Sequence, residues 1–395
     1  MSGFAVDAAR IRAEAARLAG IADSEAGIFD ANLDALVQSV NAENDSSEAG
    51  ARQIEAELTD SLRHRLLSLK WVTERPEITT EPIEQPVFLT GLPRSGTTYF
   101  QYLFGNDPDL RLVRTWEGMA PCPPPGLDPL SVTARYDIAK AHCDLMRAQI
   151  QGFDAIHLRD PDGPEECHMF LAQTFAAIGY QNTLNVPSYV DFLLSKLDLT
   201  ASYRVHRRQL QILQHGAPAR RWVLKYPNHI IAMPEIVTVY PDARFVITHR
   251  DPVQTLASIC RLTESFRAPR MRRVNREEIG AQMLDFIARH LDRLMAFARS
   301  REGARRIVNV DYYRLVAAPV EELARAYESL GLVMSQTARQ RIADWRAGNP
   351  PGKRGAFTYA LEEFGLDADA VAERFKPYRE HFGVPSEADG RRAAA

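Results

Sequence analysis

Lysine is scarce: the 395 residues contain six lysines against 42 arginines. An excess of either charge is also missing. The 48 basic and 51 acidic residues leave a formal charge of −3. That balance excludes a general coat for nucleic acid or an anionic membrane, where a basic excess would drive phosphate binding. Only four cysteines occur, Cys122, Cys143, Cys167 and Cys260, with no CxxC pair. The spacing indicates neither a zinc site nor a disulfide framework, so reduced, packed thiols are expected. No apolar run reaches the ~18 residues of a spanning helix. The opening MSGFAVDAARIRAEAARLAG has charges interrupting any signal-like stretch, so the expected compartment is the cytoplasm. The 45% hydrophobic and 25% charged fractions are those of a globular protein. Its length suits one large α/β domain or two smaller ones.

What is present is an ordered alternation of elements. Residues 1–75 read as an N-terminal helical cap. Ile11, Ala15 and Leu18, then Ile54, Leu58, Leu62 and Leu66, recur at helical spacing without a chemistry-bearing motif. The charged, proline-containing stretch 73–86 breaks the pattern and delivers the chain into VFLT (87–90). This short apolar run, bounded by Pro86 and Gly91, reads as a strand buried on both faces. RWVLK (221–225), RFVIT (244–248) and RIVNV (306–310) repeat the signal, with helical patterns between them. The clearest helix covers 275–300, with Ile279, Met283, Phe286, Ile287, Leu291, Leu294 and Met295 in one stripe and Asn275 as its N-cap. Pro319 and Gly331 bracket another. Strands alternating with helices predict an α/β fold, a parallel sheet flanked by helices, over residues 85–385.

The sharpest motif is VFLT-GLPRSGTT (87–98), with a helical segment behind it. Gly91 and Gly96 have the GxxxxG spacing of a phosphate-cradling loop between strand and helix. Such a loop turns backbone N–H groups toward an anion and adds the positive end of the helix dipole. Thr97 and Thr98 offer hydroxyls at the helix start. A nucleotide triphosphatase would carry lysine immediately after the second glycine. Here that position is Thr97, and the cation comes early, at Arg94. The substitution weakens the case for a metal and suggests a diphosphate-like ligand.

At these residues the chain resembles the PAPS-dependent sulfotransferases (PAPS, 3′-phosphoadenosine 5′-phosphosulfate). It is most similar to the branch that includes the tyrosylprotein sulfotransferases and bacterial small-molecule enzymes. Pro93, Arg94, Ser95, Gly96, Thr97 and Thr98 match the loop that binds the 5′-phosphosulfate in that family. The resemblance implies a P-loop-like sheet, with the N-terminal and inserted helices as a cap. It implies Leu92 to Thr98 on the 5′-phosphate. It also implies Arg250, at a strand end, and Ser258, eight residues on, at the 3′-phosphate. GNPPGKRGAF (348–357) is similar to the basic loop that closes over the nucleotide, which adds Lys353, Arg354 and Gly355, although Ala356 stands where a second glycine is usual. The match covers residues 85–265 closely and 305–385 loosely.

Sulfonate transfer to a hydroxyl needs a base and cations for the developing charge. The resemblance points to Glu117 as base, two residues further from the loop than in the tyrosylprotein enzymes, and to Lys225 and Arg94 as the cations. An ion pair with Arg111 or Arg114 is the competing role for Glu117. His229 is the rival base, and His249 abuts Arg250. Residues 160–170 place Glu165, Glu166 and His168 at a spacing that mimics a metal cluster, but no second such motif recurs, and no metal is expected. A helix starting at Pro164 and lining the acceptor pocket explains the segment better. Trp116, Met119 and PCPPPG (121–126) suggest an apolar wall. Arg267, Arg270, Arg272, Arg273 and Arg276 read as an exposed basic loop or a lid. The expected partner is a small hydroxylated acceptor, without nucleic acid or a membrane span, and homo-oligomerisation stays open. Two alternatives also stay open: a P-loop kinase or NTPase, and a nucleotide-binding partner protein without catalysis.

Overall fold

The structure is a computed structural model that describes residues 4–394, apart from 151, 157, 197 and 350–359. The apolar runs form five strands: β1 (Val87–Gly91), β2 (Leu110–Arg111), β3 (Arg221–Lys225), β4 (Arg244–His249) and β5 (Ile307–Asp311). They make one parallel sheet in the order β2-β3-β1-β4-β5. Successive side chains on a strand point to opposite faces, so each of the inner strands feeds two cores. Phe88, Trp222, Leu224, Phe245 and Ile247 enter one; Val87, Leu89, Val223, Val246 and Val308 enter the other. This two-faced burial is why the runs are apolar throughout rather than alternating. The two-residue β2 is too short to leave a periodic signal, and the sequence did not reveal it.

Helices α1 (Ala8–Ala19), α2 (Ala26–Glu43) and α3 (Glu48–Glu74) precede the sheet. Their apolar residues, Ile11, Leu36, Ile54 and Leu62 among them, share a core with Phe170 and Tyr203. In α1 the buried positions are Ile11, Ala15 and Ala19, whereas Leu18, expected in that stripe, is 48% exposed. The buried face centres on Ala15, and Leu18 falls past its margin. α4 (Thr97–Gly105) follows β1. α5 (Thr115–Met119), α6 (Leu130–Gln149), α7 (His168–Ala172) and α8 (Thr200–Gln214) lie between β2 and β3.

α9 (Pro252–Arg267) follows β4, and α10 (Arg276–Ala298) and α11 (Pro319–Leu330) flank β5 in sequence. Asn275 caps α10 by accepting from the Glu277 and Glu278 N–H groups at 3.0 and 3.2 Å. Pro319 opens α11, and Gly331, with φ 64°, ends it. α12 (Glu387–Ala394) closes the described chain. Among the described residues no helix is long and apolar enough to cross a membrane.

The register decides where chemistry can gather. Leu89 lies opposite Lys225 and Gly91 opposite Thr248. The C-terminal tips of β1, β3 and β4 therefore emerge side by side, at the edge where open α/β sheets hold ligands.

Candidate active site

Three glycine-like conformations shape the turn after β1. Gly91, Arg94 and Gly96 have φ of 150°, 70° and 90°. A Cβ on Gly91 would lie 2.5 Å from Thr248 Oγ1, and one on Gly96 would meet the Tyr312 ring at 2.8 Å; both positions exclude any larger side chain. Arg94 holds a left-handed backbone that a non-glycine residue rarely adopts. The buried Ser95 hydroxyl donates to the Leu92 carbonyl at 2.7 Å and sits 2.7 Å from Thr248 Oγ1, pinning the turn to β4. α4 then starts at Thr97 with Gly96 as its cap and without a side-chain acceptor on its first N–H groups. A helix start in that state suits an anion.

The second anchor meets the first. Arg94 Nε donates to Ser258 Oγ at 3.1 Å, and Arg250 Nη1 donates to the Arg94 carbonyl at 3.0 Å. Arg250 also lies over the Tyr312 ring at 4.2 Å, and its Nε and Nη2 fork onto the Glu387 carboxylate of α12 at 3.0 and 2.7 Å. Two guanidinium groups and a hydroxyl, separated by up to 164 residues, thus form one cluster at the tips of β1 and β4.

Lys225 occupies the neighbouring tip of β3. Its side chain is 2% exposed; Nζ donates to Thr98 Oγ1 at 3.1 Å and pairs with the Glu166 carboxylate. Glu166 reaches this place because its backbone runs beside Lys225 as a parallel bridge, and the Cys167 N–H donates to the Lys225 carbonyl at 2.8 Å. Loop, Lys225 and Glu166 face a cavity of about 560 Å³. Met119, Met146, Met169, Ile259, Leu262 and Phe266 form the apolar part of its lining, beside polar residues such as Glu57, Asp60, His64 and Arg159.

A model of the sulfotransferase family matches residues 86–336. The chain belongs to that family. Its fold is close to that of sulfotransferase STF9 from Mycobacterium avium, with 27% identity over 98% of this chain and 100% of that one and a TM-score of 0.87. Sulfotransferase STF1 from Mycobacterium tuberculosis is 30% identical over 93% of this chain and 98% of that one, with a TM-score of 0.82. No curated protein sequence is significantly similar. The family and these folds identify an enzyme of sulfonate transfer, which removes both the kinase and the non-catalytic alternatives.

Several expected residues of the sulfotransferase stand elsewhere than the sequence suggested. Glu117 is 4% exposed and lies outside the cavity lining. One carboxylate oxygen accepts from Arg111 at 2.8 Å and the other from the Arg114 backbone N–H at 2.9 Å, so the competing ion pair is realised within the capping of α5. Trp116 also sits behind the wall, donating to Asp162 at 3.2 Å beneath Arg135, while Met119 does face the cavity. His229 is fully buried, with Nδ1 2.7 Å from Tyr203 Oη, and does not line the cavity. His249 is held between Tyr378 and Asn309, each at 2.8 Å, and burial pulls its pKa down to about 4.

No helix starts at Pro164. Pro164 bridges Arg114 in extended form, Glu165 pairs with Arg159 at 2.5 Å, and α7 begins only at His168. Glu166 and His168 do line the cavity, with His168 Nδ1 3.3 Å from Tyr226 Oη. The arginine-rich stretch divides: Arg272, Arg273 and Arg276 are exposed, as expected of a basic loop, whereas Arg267 and Arg270 are buried, and Arg270 lines the cavity. Arg267 is 2% exposed and donates to the Gln181 carbonyl at 2.6 Å; Arg270 pairs with Glu57 at 2.8 Å. Lys353, Arg354 and Gly355 lie outside the described residues.

The sequence missed the contribution of α3. Glu57, Asp60 and His64 line the cavity from that helix, on residues read as a cap without chemistry. Burial alone would raise the Asp60 pKa, but His64 and Arg63 outweigh it and hold the carboxyl at about 2. Only the i, i+3, i+7 spacing of polar residues opposite the apolar stripe was legible, and it is identical to that of a solvated helix face.

Proposed function

We propose that this sulfotransferase takes the sulfonate from PAPS and passes it to a hydroxyl of a small, largely apolar acceptor. One observation carries the reading: Lys225 Nζ contacts both Thr98 of the phosphate loop and the Glu166 carboxylate on the cavity wall. In this reading, Leu92 to Thr98 hold the 5′-phosphate end, through the loop N–H groups, Arg94 and the threonine hydroxyls. Arg250 and Ser258 take the 3′-phosphate. A site built for a pyrophosphate-type anion fits the tight turn, the α4 start without a side-chain cap, and the nearby Arg94 and Arg250, the latter held on the Arg94 carbonyl.

The acceptor hydroxyl gives its proton to the Glu166 carboxylate. Its oxygen bonds to sulfur as the bond between sulfur and the 5′-phosphate oxygen breaks, and the electron pair leaves with the phosphate. Lys225, Arg94 and the loop N–H groups meet that charge. Glu166 takes the role first given to Glu117, because both oxygens of Glu117 are held outside the cavity. The methionine and phenylalanine wall supports an apolar acceptor body, with His168 on its polar side.

Labelled PAPS incubated with apolar phenols, sterols and hydroxy-lipids should yield a sulfonated product. Glu166→Gln should then lower kcat about 10²–10⁴-fold, the usual range for a lost general base, while nucleotide affinity stays within a few fold. Unchanged turnover in that variant removes Glu166 from the mechanism.

A further inference from the structure

Behind the Glu166–Lys225 pair lies a second cluster that sulfonate transfer does not use. Cys167 follows Glu166, His229 follows Lys225 by four residues, and His206 comes from α8. All three are fully buried, and the Cys167 Sγ and the ligand nitrogens of the two imidazoles lie within 4.8 Å of one another. Each imidazole is oriented by a tyrosine: His206 Nδ1 is 2.7 Å from Tyr240 Oη, and His229 Nδ1 is 2.7 Å from Tyr203 Oη. Neither Nε2 has a hydrogen-bond partner among the described residues.

That pairing poses a chemical problem. If a tyrosine donates to Nδ1, the opposite Nε2 carries an N–H with no acceptor. If Nδ1–H donates to the tyrosine, Nε2 carries a bare lone pair. Either way two buried polar groups are orphaned in one spot, which native interiors avoid. A cation at Nε2 resolves both, and an Nδ1–H held by an outer partner is the usual arrangement of a ligating histidine.

We propose that Cys167, His206 and His229 form a binding site for a soft d10 metal ion, best matched by Cu⁺. A thiolate with two imidazoles selects a soft ion. The choice of charge follows from the surroundings. Phe88 packs on His229 at 5.0 Å and Phe170 on His206 at 5.6 Å between ring centres. No other Cys, His, Asp or Glu joins the cluster among the described residues. Zinc on these three ligands would need a water or other group in a fourth position. A monovalent ion with one thiolate is neutral, whereas a divalent ion would leave a net charge in an aromatic interior, which is costly.

The ion would also join the two segments that carry Glu166 and Lys225. The Cys167 N–H already donates to the Lys225 carbonyl at 2.8 Å, and the His229 N–H to the Tyr226 carbonyl at 3.1 Å. The ligands come from three separate elements, which is why cysteine spacing alone gave no sign of them.

The test is metal binding by the full chain, independent of transfer activity. The protein is refolded anaerobically with Cu⁺ and challenged with the cuprous chelator bicinchoninate. One retained equivalent is expected, with a copper absorption edge reporting one sulfur and two nitrogen neighbours. Cys167→Ser and His229→Gln should lose it, and Cys143→Ser should keep it. If those variants misfold by circular dichroism, the wild-type edge decides: any other ligand set overturns the site. Loss of all copper to the chelator also overturns it, leaving a buried water as the occupant. One equivalent of Zn²⁺ bound in preference, through the same three residues, supports the site and overturns the choice of ion.

Discussion

Lys225 illustrates how much one side chain carries here. It is one of six lysines, it is almost wholly buried, and its ammonium has a hydroxyl and a carboxylate as partners. A compact, rotatable ammonium fits between Thr98 and Glu166 where a planar guanidinium fork does not. Lys225→Arg should therefore fail almost as badly as Lys225→Ala. Both should lower kcat by about 10²–10³-fold, the cost of one lost donor to a developing anion, with steady-state assays as the check; an active Arg variant would show that charge alone suffices. Glu117 should behave in the opposite way. It pairs with Arg111 and caps α5, so Glu117→Gln should reduce stability by about 3–5 kcal/mol, as broken buried pairs do. Its kcat, measured on folded protein, should stay within a few fold. A lower melting temperature with intact turnover is the expected signature, and lost turnover at unchanged stability would return the base role to Glu117.

At the scale of elements, α3 is the unexpected contributor. Glu57, Asp60 and His64 face the cavity, and His64 Nε2 lies 3.5 Å from Asp60. Asp60→Asn should raise the acceptor KM several-fold while leaving nucleotide affinity unchanged, because the phosphate loop is built from β1 and α4. Initial rates at varied acceptor and varied PAPS separate the two, and a change in the nucleotide term alone would contradict the assignment. The inner strands were legible because burial on both faces made each a largely apolar run, as in VFLT and RFVIT. The loop was legible because GxxxxG between a strand and a helix is a local pattern, although the groups that exclude a Cβ at Gly91 and Gly96 are the distant Thr248 and Tyr312. Glu166 and His168 were legible as pocket residues and do line the cavity, but Glu117 and Trp116 were misplaced, because only tertiary structure separates a side chain facing a cavity from one behind its wall. The extended path of 163–167 is imposed by bridges to Arg114 and Lys225, so its local proline signal misled.

Across the whole molecule, the buried histidines predict its response to acid. Burial lowers His249 and His290 to about 4, against an ordinary value of 6.5. Folding keeps these groups neutral, so their contribution is fully present above pH 6.5 and is lost as pH falls from there toward 4. Each pKa unit is worth about 1.4 kcal/mol per group. Melting temperatures measured from neutral pH down to about 4 should fall steeply through that window, and a flat profile would contradict the buried neutral state. The same long-range assembly explains why arginine abundance was uninformative by itself. Arg267 is buried against the Gln181 carbonyl, whereas at the strand tips Arg94 donates to Ser258 and Arg250 to the Arg94 carbonyl. Calorimetric titration with 3′-phosphoadenosine 5′-phosphate in the absence of Mg²⁺ tests that convergence most directly. One tight site per chain, weakened at least tenfold in both Arg94→Ala and Arg250→Ala, is the predicted result; tighter, Mg²⁺-dependent binding of ATP would contradict it.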